Sequence, residues 1–272
     1  MANDISAFDG LVQQLASKEI ALQRPALPAL IGPNGYCTPI RLTGPVIAGK
    51  VAVPVVTTLQ AVQTDPTSFE NSTDTVDSVE PVLVHYSAQF GFNNPDQNRG
   101  LELERLLASH LTNIEKSIQA AVNAVINTTN FGSAAVTVTS GSYALANCET
   151  LLAAVPARSI LALESAYFVK TKSTWMPSGE EDKLKEISHL TSIGTNVKGF
   201  AARQEAIALV YGYPSSGPSG EVKISMYKLP IGLEVQFSRW YARGGRAWRG
   251  SLDICLAAEV GQAAALKLLV SA

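Results

Sequence analysis

Three histidines, His85, His110 and His189, are the only imidazoles in the 272 residues. None has a cysteine, a second histidine or a carboxylate at the spacing of a metal site. Three cysteines, Cys37, Cys148 and Cys255, lie far apart and form no C-x-x-C, which predicts buried, reduced thiols in a cytosolic protein. Ser140-Gly-Ser and Gly217-Pro-Ser-Gly read as turns, and the chain holds no nucleophile elbow, P-loop or G-x-G-x-x-G. Carboxylates gather between Thr64 and Ser78 without the regular spacing of a calcium loop, so that stretch reads as a solvated tip. These residues predict no catalytic group, no metal and no cofactor.

Charge distribution is more informative. No lysine or arginine occurs between Lys50 and Arg99. Val51–Pro95 carries Asp65, Glu70, Asp74, Asp77 and Glu80, whereas Glu221–Gly250 carries Lys223, Lys228, Arg239, Arg243, Arg246 and Arg249 against only Glu221 and Glu234. Electrostatic complementarity of that kind sets register between surfaces more than it sets affinity. The expectation is a subunit interface in which Asp65, Glu70, Asp74 and Asp77 of one copy lie near Arg239, Arg243, Arg246 and Arg249 of another. Coincidental surface charge is the plainer reading of the same residues. Trp240, Tyr241 and Trp248 interleave with the arginines, as in a stacking platform for single-stranded nucleic acid. Strand periodicity puts Trp248 on the core side, and a net charge of −2 gives no global basic footprint, so direct nucleic-acid binding is the weaker reading.

The elements that position these charges follow from periodicity. Ile5, Phe8, Val12, Leu15 and Ile20 have helical spacing. Pro25–Lys50, with Gly32-Pro33 and Gly44-Pro45, reads as an extended arm rather than a packed element. Val51, Val53, Val55, Leu59 and Ala61 share one face of a strand, and Val82, Val84, Tyr86, Ala88, Phe90 and Phe92 share one face of a second. Pro54 and Pro81 each remove a ladder donor and mark both as edge-type strands. His85 falls on the outward register. Asn93-Asn-Pro-Asp-Gln-Asn opens a helix that runs to about Asn127. Its stripe is Leu103, Leu107, Leu111, Ile114, Ile118, Ala121, Val122 and Val125, with Glu102, Glu104, Arg105, Glu115 and Lys116 on the polar side.

Short mixed elements follow. The pattern predicts strands at Ala135–Thr139, Ser159–Leu163 and Glu205–Tyr213, and helices at Tyr143–Val155 and Glu164–Lys172. The charged run Gly179–His189 reads as a solvated helix or loop. Ile231, Leu233, Val235 and Phe237 alternate with Gly232, Glu234, Gln236 and Ser238, and Trp248, Leu252, Ile254 and Leu256 answer them across the glycine-rich turn Ala242-Arg-Gly-Gly-Arg. Ala263–Val270 stays apolar, which predicts docking rather than fraying.

Hydrophobic residues make up 46% of the chain and charged residues 16%, so apolar surface is expected to be buried between subunits. No stretch has the roughly 18 consecutive apolar residues of a membrane span, and Met1-Ala-Asn-Asp-Ile lacks the n- and h-regions of a signal peptide.

The order of arm, long hairpin, long helix, mixed α/β region and β-rich return resembles a tailed-phage major capsid protein of the Johnson fold, also called the Hong Kong ninety-seven-type fold. Gly199-Phe-Ala-Ala-Arg-Gln-Glu-Ala-Ile-Ala-Leu is similar to a podophage capsid segment in which a glycine-aromatic turn precedes a strand. Ser159-Ile-Leu-Ala-Leu-Glu-Ser-Ala-Tyr resembles the strand-then-helix piece after the spine helix, and Ile231-Gly-Leu-Glu-Val with Arg249-Gly-Ser-Leu-Asp-Ile resembles the terminal strands. The resemblance implies an α+β subunit with an N-terminal arm at 1–50 and an E-loop β-hairpin at 51–95. It implies a spine helix of the peripheral domain at 96–133, an axial domain at 134–220 and returning strands of both domains at 221–272.

It further implies a non-enzymatic structural protein of the virion, assembled in the host cytoplasm as pentamers and hexamers of an icosahedral shell. Scaffolding, portal and cement proteins are the implied partners, with packaged double-stranded DNA held without sequence specificity and no membrane. No scaffold-like N-terminal extension is evident, which implies a separate scaffolding protein if one is used. Some relatives crosslink through an E-loop lysine; this hairpin has none. An encapsulin-like bacterial nanocompartment shares the fold and is the second reading. A soluble α/β enzyme is the third, and the missing histidine and nucleophile constellations argue against it.

Overall fold

The computed structural model describes residues 29–46, 49–50, 53–58, 75–92, 100–155, 160–175, 183–187, 193–214, 223–229, 231–242 and 247–272. In chain order the strands are β1 (Cys37–Val46), β2 (Gly49–Lys50), β3 (Val53–Thr58), β4 (Thr75–Val79), β5 (Val82–Phe92), β6 (Val136–Thr137), β7 (Ile160–Leu163), β8 (Leu184–Glu186), β9 (Val197–Ala202), β10 (Ile207–Pro214), β11 (Lys223–Lys228), β12 (Glu234–Ala242), β13 (Ala247–Val260) and β14 (Leu266–Val270). The helices are α1 (Gly100–Asn123), α2 (Thr128–Phe131), α3 (Leu145–Ala153) and α4 (Ser165–Trp175). Among the described residues no helix is long and apolar enough to cross a membrane.

The long strand β13 organises the larger sheet. It pairs antiparallel with β5 over Trp248–Leu256, with β12 over Ala247–Asp253 and with β10 over Cys255–Val260. A strand has two edges, and the β5 stretch overlaps both others. β5 therefore takes one edge, while β12 and β10 share the opposite edge end to end. At their joint the Tyr213 hydroxyl donates to Glu234 Oε2 at 3.4 Å, and Arg41 Nη1 lies 3.6 Å from the same oxygen. β11 extends this sheet beyond β12, and β1 extends it beyond β10 in parallel register. The second sheet has the order β6-β14-β9-β7-β8.

Alternation explains the larger sheet's inner face: Val235, Phe237, Leu252, Ile254 and Leu256 are all buried. Phe90 and Phe237 lie nearly parallel with centroids 6.1 Å apart. Gly250 lies against both rings, since a Cβ there would sit 2.7 Å from the Phe90 ring and 3.0 Å from that of Phe237.

α1 is about 36 Å long at the usual rise per residue. Its buried residues Leu111, Ile114, Ile118 and Val122 belong to one core that reaches both sheets, from Phe90, Phe237 and Leu252 to Ala162, Phe200, Leu266 and Leu268. A second core fills the other face of the five-stranded sheet, where Tyr143, Cys148, Leu151 and Tyr167 meet Leu161, Leu163, Ala201 and Leu269. Tyr36 sits at the junction. Its ring meets Phe200 edge-on at 5.3 Å, and its hydroxyl donates to Asn123 Oδ1 at 3.2 Å. Burial pushes the Tyr36 hydroxyl far above its ordinary pKa, so it stays a donor.

Several expectations are corrected. The segment expected as an unpacked arm contains β1, and Leu30, Tyr36 and Cys37 are fully buried; Pro39 and Pro45 are tolerated because β1 is an edge strand. The expected helix start at 93–99 lies outside the described residues, and the chain is helical from Gly100 to Asn123. Glu115, expected on the polar side, is buried, and with Gln119 and Asn123 it forms a polar row at four-residue spacing. Gly199 and Phe200 lie inside β9 rather than in a turn. Within the run expected as a solvated helix or loop, β8 pairs in parallel with β7 and Leu184 and Ile187 are buried. Apart from these corrections, segment 134–220 supplies β6, β7, β8 and β9 to the five-stranded sheet and β10 to the larger one, and β14, from the C-terminal stretch, sits between β6 and β9. The helix expected over residues 5–23 lies outside the described residues.

Removing the Phe200 ring (Phe200→Ala) is expected to lower unfolding free energy by about 3–5 kcal/mol. Tyr36→Phe, which takes away the donor to buried Asn123, is expected to cost about 1–3 kcal/mol. Urea unfolding followed by tryptophan fluorescence measures both; a Phe200→Ala loss below about 1 kcal/mol would show that the junction does not bear on stability.

Candidate assembly interface

The acidic hairpin begins as β3 and β4, antiparallel, with Val55 opposite Asp77 and Pro54 opposite Ser78. Among the described residues these two strands pair only with each other. Asp65, Glu70 and Asp74 lie outside the described residues. Two expectations are corrected here: β4 lies mostly within the stretch Thr64–Ser78 expected as a solvated tip, and the expected second strand, β5, pairs with β2 and β13 rather than with β3.

Along β5 the buried face switches. Phe90 is buried on the expected face, but Val82 and Val84 on that face are 56% and 48% exposed, and Leu83 is buried instead. Leu83 packs on the outer side of the sheet with Val210, Cys255 and Ala257, against Ile40 and Leu42. A strand that crosses from one packed layer to another cannot keep one apolar face along its whole length.

His85 keeps its outward register and has a partner that the sequence did not reveal. Its Nε2 lies 3.0 Å from Asp253 Oδ1, and the Ser251 hydroxyl donates to Asp253 Oδ2. Gln236 and Ser238, which alternate with the apolar residues of β12, are buried beside this group, with Gln236 Nε2 donating to the Ser238 hydroxyl at 3.3 Å. These five residues come from three strands. The signal available was weak: Ser251 and Asp253 alternate with Leu252 and Ile254, as any exposed strand face would.

The four arginines do not form one surface. Arg239 is buried, on the same face as Phe237, and pairs in register with Gly250. Arg249 is exposed on the opposite face, in register with Trp240 and Gly91. Arg243 and Arg246 lie outside the described residues. Trp248 sits opposite Tyr241 in the ladder, and Tyr241 is 44% exposed. The expected role of Arg239 at a subunit surface is thereby corrected: strand alternation turns it inward.

Other chemistry is sparse among the described residues. All three cysteines are buried and free. Burial pushes the Cys148 thiol up to about 11 and raises those of Cys37 and Cys255 as well, which favours the thiol over the reactive thiolate. No group of three or more His, Cys, Asp or Glu side chains is placed to hold a metal ion among the described residues. A pocket of about 370 Å³ lies between α3 and α4, lined by Tyr143, Leu145, Cys148, Lys170 and Thr171 among others. Lys170 Nζ is engaged by the carbonyls of Ser140 and Gly141, and the Tyr143 and Thr171 hydroxyls are 3.1 Å apart. That lining brings no nucleophile and base together.

By sequence, no family profile and no curated protein matches the chain. By structure, the capsid of Ralstonia phage GP4 superposes with a TM-score of 0.53 at 9% identity, over 93% of this chain and 93% of that one. The capsid of Myoviridae phage XM1 gives 0.51 at 10% identity, over 92% and 95%. This is the Johnson, or Hong Kong ninety-seven-type, capsid fold. A virus-like particle from Pyrococcus furiosus superposes with a TM-score of 0.53 at 10% identity, over 96% of this chain and 99% of that one. In each case the match runs through nearly the whole of both chains, so the Johnson fold accounts for both sheets and the long helix together.

Arg239→Ala is expected to destabilise the subunit by about 1–3 kcal/mol through lost packing of its stem and lost pairing of its head. Arg249→Ala is expected to stay within about 0.5 kcal/mol of the parent. Thermal unfolding of the two variants checks this; equal melting temperatures would contradict the inward placement of Arg239.

Proposed function

We propose that this chain is the major capsid protein of a tailed double-stranded DNA bacteriophage, a non-enzymatic subunit that assembles into pentamers and hexamers of an icosahedral shell. The supporting observation is the likeness to phage capsid structures over more than nine-tenths of this chain and theirs. Residues 1–50 then serve as the N-terminal arm, 51–95 as the E-loop, 96–133 as the spine helix region, 134–220 mainly as the axial domain and 221–272 as returning strands. The hairpin lies over a neighbouring subunit, which suits a two-stranded ribbon that has no third strand among the described residues.

Standard interfaces bury about 1,600 Å², and each shell subunit makes several. Cohesion comes from burial and strand exchange, since the hairpin has no lysine for a covalent link. Scaffolding, portal and cement proteins and packaged DNA are the partners of this reading. The virion is its location, with assembly in the host cytoplasm.

The likeness to the virus-like particle of Pyrococcus furiosus supports a second reading, an encapsulin-like compartment shell. Neighbouring genes separate the two: terminase and portal genes accompany a phage capsid, an enzyme cargo gene accompanies a compartment.

Electron microscopy of the purified recombinant protein is expected to show closed shells or their pentameric and hexameric intermediates; small monodisperse particles under all assembly conditions would overturn the proposal. Arg243→Glu with Arg246→Glu is expected to impair assembly while leaving the subunit folded by circular dichroism, and normal shells from that variant would remove the glycine-rich turn from the interface. Shells boiled in detergent are expected to run as single chains on a gel.

A further inference from the structure

The pocket of about 370 Å³ between α3 and α4 lies away from the strand margins. Tyr143, Cys148 and Thr171 line it and are 6%, 1% and 3% exposed, so they form its floor. Leu145, 40% exposed, and the exposed Ala144 form an apolar rim. The Tyr143 and Tyr167 rings meet edge-on with centroids 5.1 Å apart, which sets how closely the chain before α3 approaches α4. Lys170 Nζ donates to the Ser140 and Gly141 carbonyls and pins the turn that leads into α3. The walls are therefore held by contacts within the subunit. An apolar cavity of about 150 Å³ accepts a benzene ring, so a pocket more than twice that size has room for a ring with a short tail.

The proton count fixes the polarity of the floor. Thr171 has one hydroxyl proton and gives it to the Tyr167 carbonyl at 2.9 Å. The Tyr143 hydroxyl is then the donor across the 3.1 Å to Thr171. Burial raises the Tyr143 pKa above its ordinary value, so that proton is retained. The Tyr143 oxygen keeps capacity as an acceptor, and the Cys148 thiol beside it is only a weak donor. A carboxylate seated here would set one acceptor against another. A cation would meet the Lys170 ammonium at the rim.

We propose that this pocket binds a neutral small molecule with an apolar ring or short chain and one O–H or N–H group, which donates to the Tyr143 oxygen. The apolar body lies against Ala144, Leu145 and Cys148. Such a molecule removes apolar surface from water and gives a buried acceptor a strong donor. It also braces α3 against α4. The site depends on the fold of one subunit and not on the shell reading.

Ligand-observed NMR titration of the purified full chain tests this. Binding of para-propylphenol is expected to saturate with a Kd below about 1 mM. Its methyl ether, para-propylanisole, has no proton to donate and is expected to bind about tenfold more weakly, as is para-propylbenzoate. In Tyr143→Phe the phenol is expected to fall to the affinity of the ether, while the ether stays within about twofold of its value in the parent. Ala144→Trp, at an exposed position on the rim, is expected to abolish binding of both compounds while circular dichroism shows a folded subunit. Any of five results overturns the proposal: no saturation by the phenol, equal affinity for phenol and ether, tighter binding of the benzoate, unchanged phenol affinity in Tyr143→Phe, or unchanged phenol affinity in Ala144→Trp.

Discussion

The buried face of α1 is the contact on which the molecule depends. One helix stripe packs against the larger sheet through Phe90, Phe237 and Leu252, and the same core continues to Phe200, Leu266 and Leu268 of the smaller sheet. Each aliphatic side chain fully buried there contributes roughly 1.5–3 kcal/mol. The benefit is shared, because without the helix neither sheet could cover its inner face. Tyr36, from just before β1, closes the junction between the two with its edge contact to Phe200 and its hydrogen bond to Asn123.

That arrangement leaves the periphery of the larger sheet under-satisfied. The body has apolar interiors on both sides of the smaller sheet. By contrast, among the described residues β3 and β4 pair only with each other and β11 has no strand beyond it, while Val82, Val84, Ile224 and Met226 are exposed. A chain with well-packed centres and apolar, hydrogen-bond-ready margins is suited to repeated association. The polar group of His85, Asp253 and Ser251 lies between these zones and ties the root of the hairpin to β13.

Much of this was legible in the residues, for reasons that are local. The run Ile231, Leu233, Val235, Phe237 is buried throughout, as its alternation required. Leu111, Ile114, Ile118 and Val122 kept their helical stripe because one face of a long helix has one set of neighbours. Failures came where a residue met two environments. Glu115 sits on the helix flank of Gln119 and Asn123, where Asn123 meets Tyr36 from outside the helix. β5 changes packed face between Leu83 and Phe90. Pro39 and Pro45 punctuate the sequence like a loop, yet an edge strand accommodates them. The candidate interface was legible as a charge contrast and not as a geometry: Arg239 shares a segment with Arg249 and lies on the opposite face.

The sequence by itself determined the periodicities, the cation-free hairpin, the absence of a nucleophile or metal motif and the order of elements. These depend on residue type and short spacing. Only the tertiary structure decided that β12 and β10 share one edge of β13, that β14 enters a sheet built largely from much earlier residues, and that His85 meets Asp253. The physical reason is that such facts concern pairs far apart in the chain. Alternation states that a residue needs a buried face, but the partner covering it is chosen by the packing of the whole.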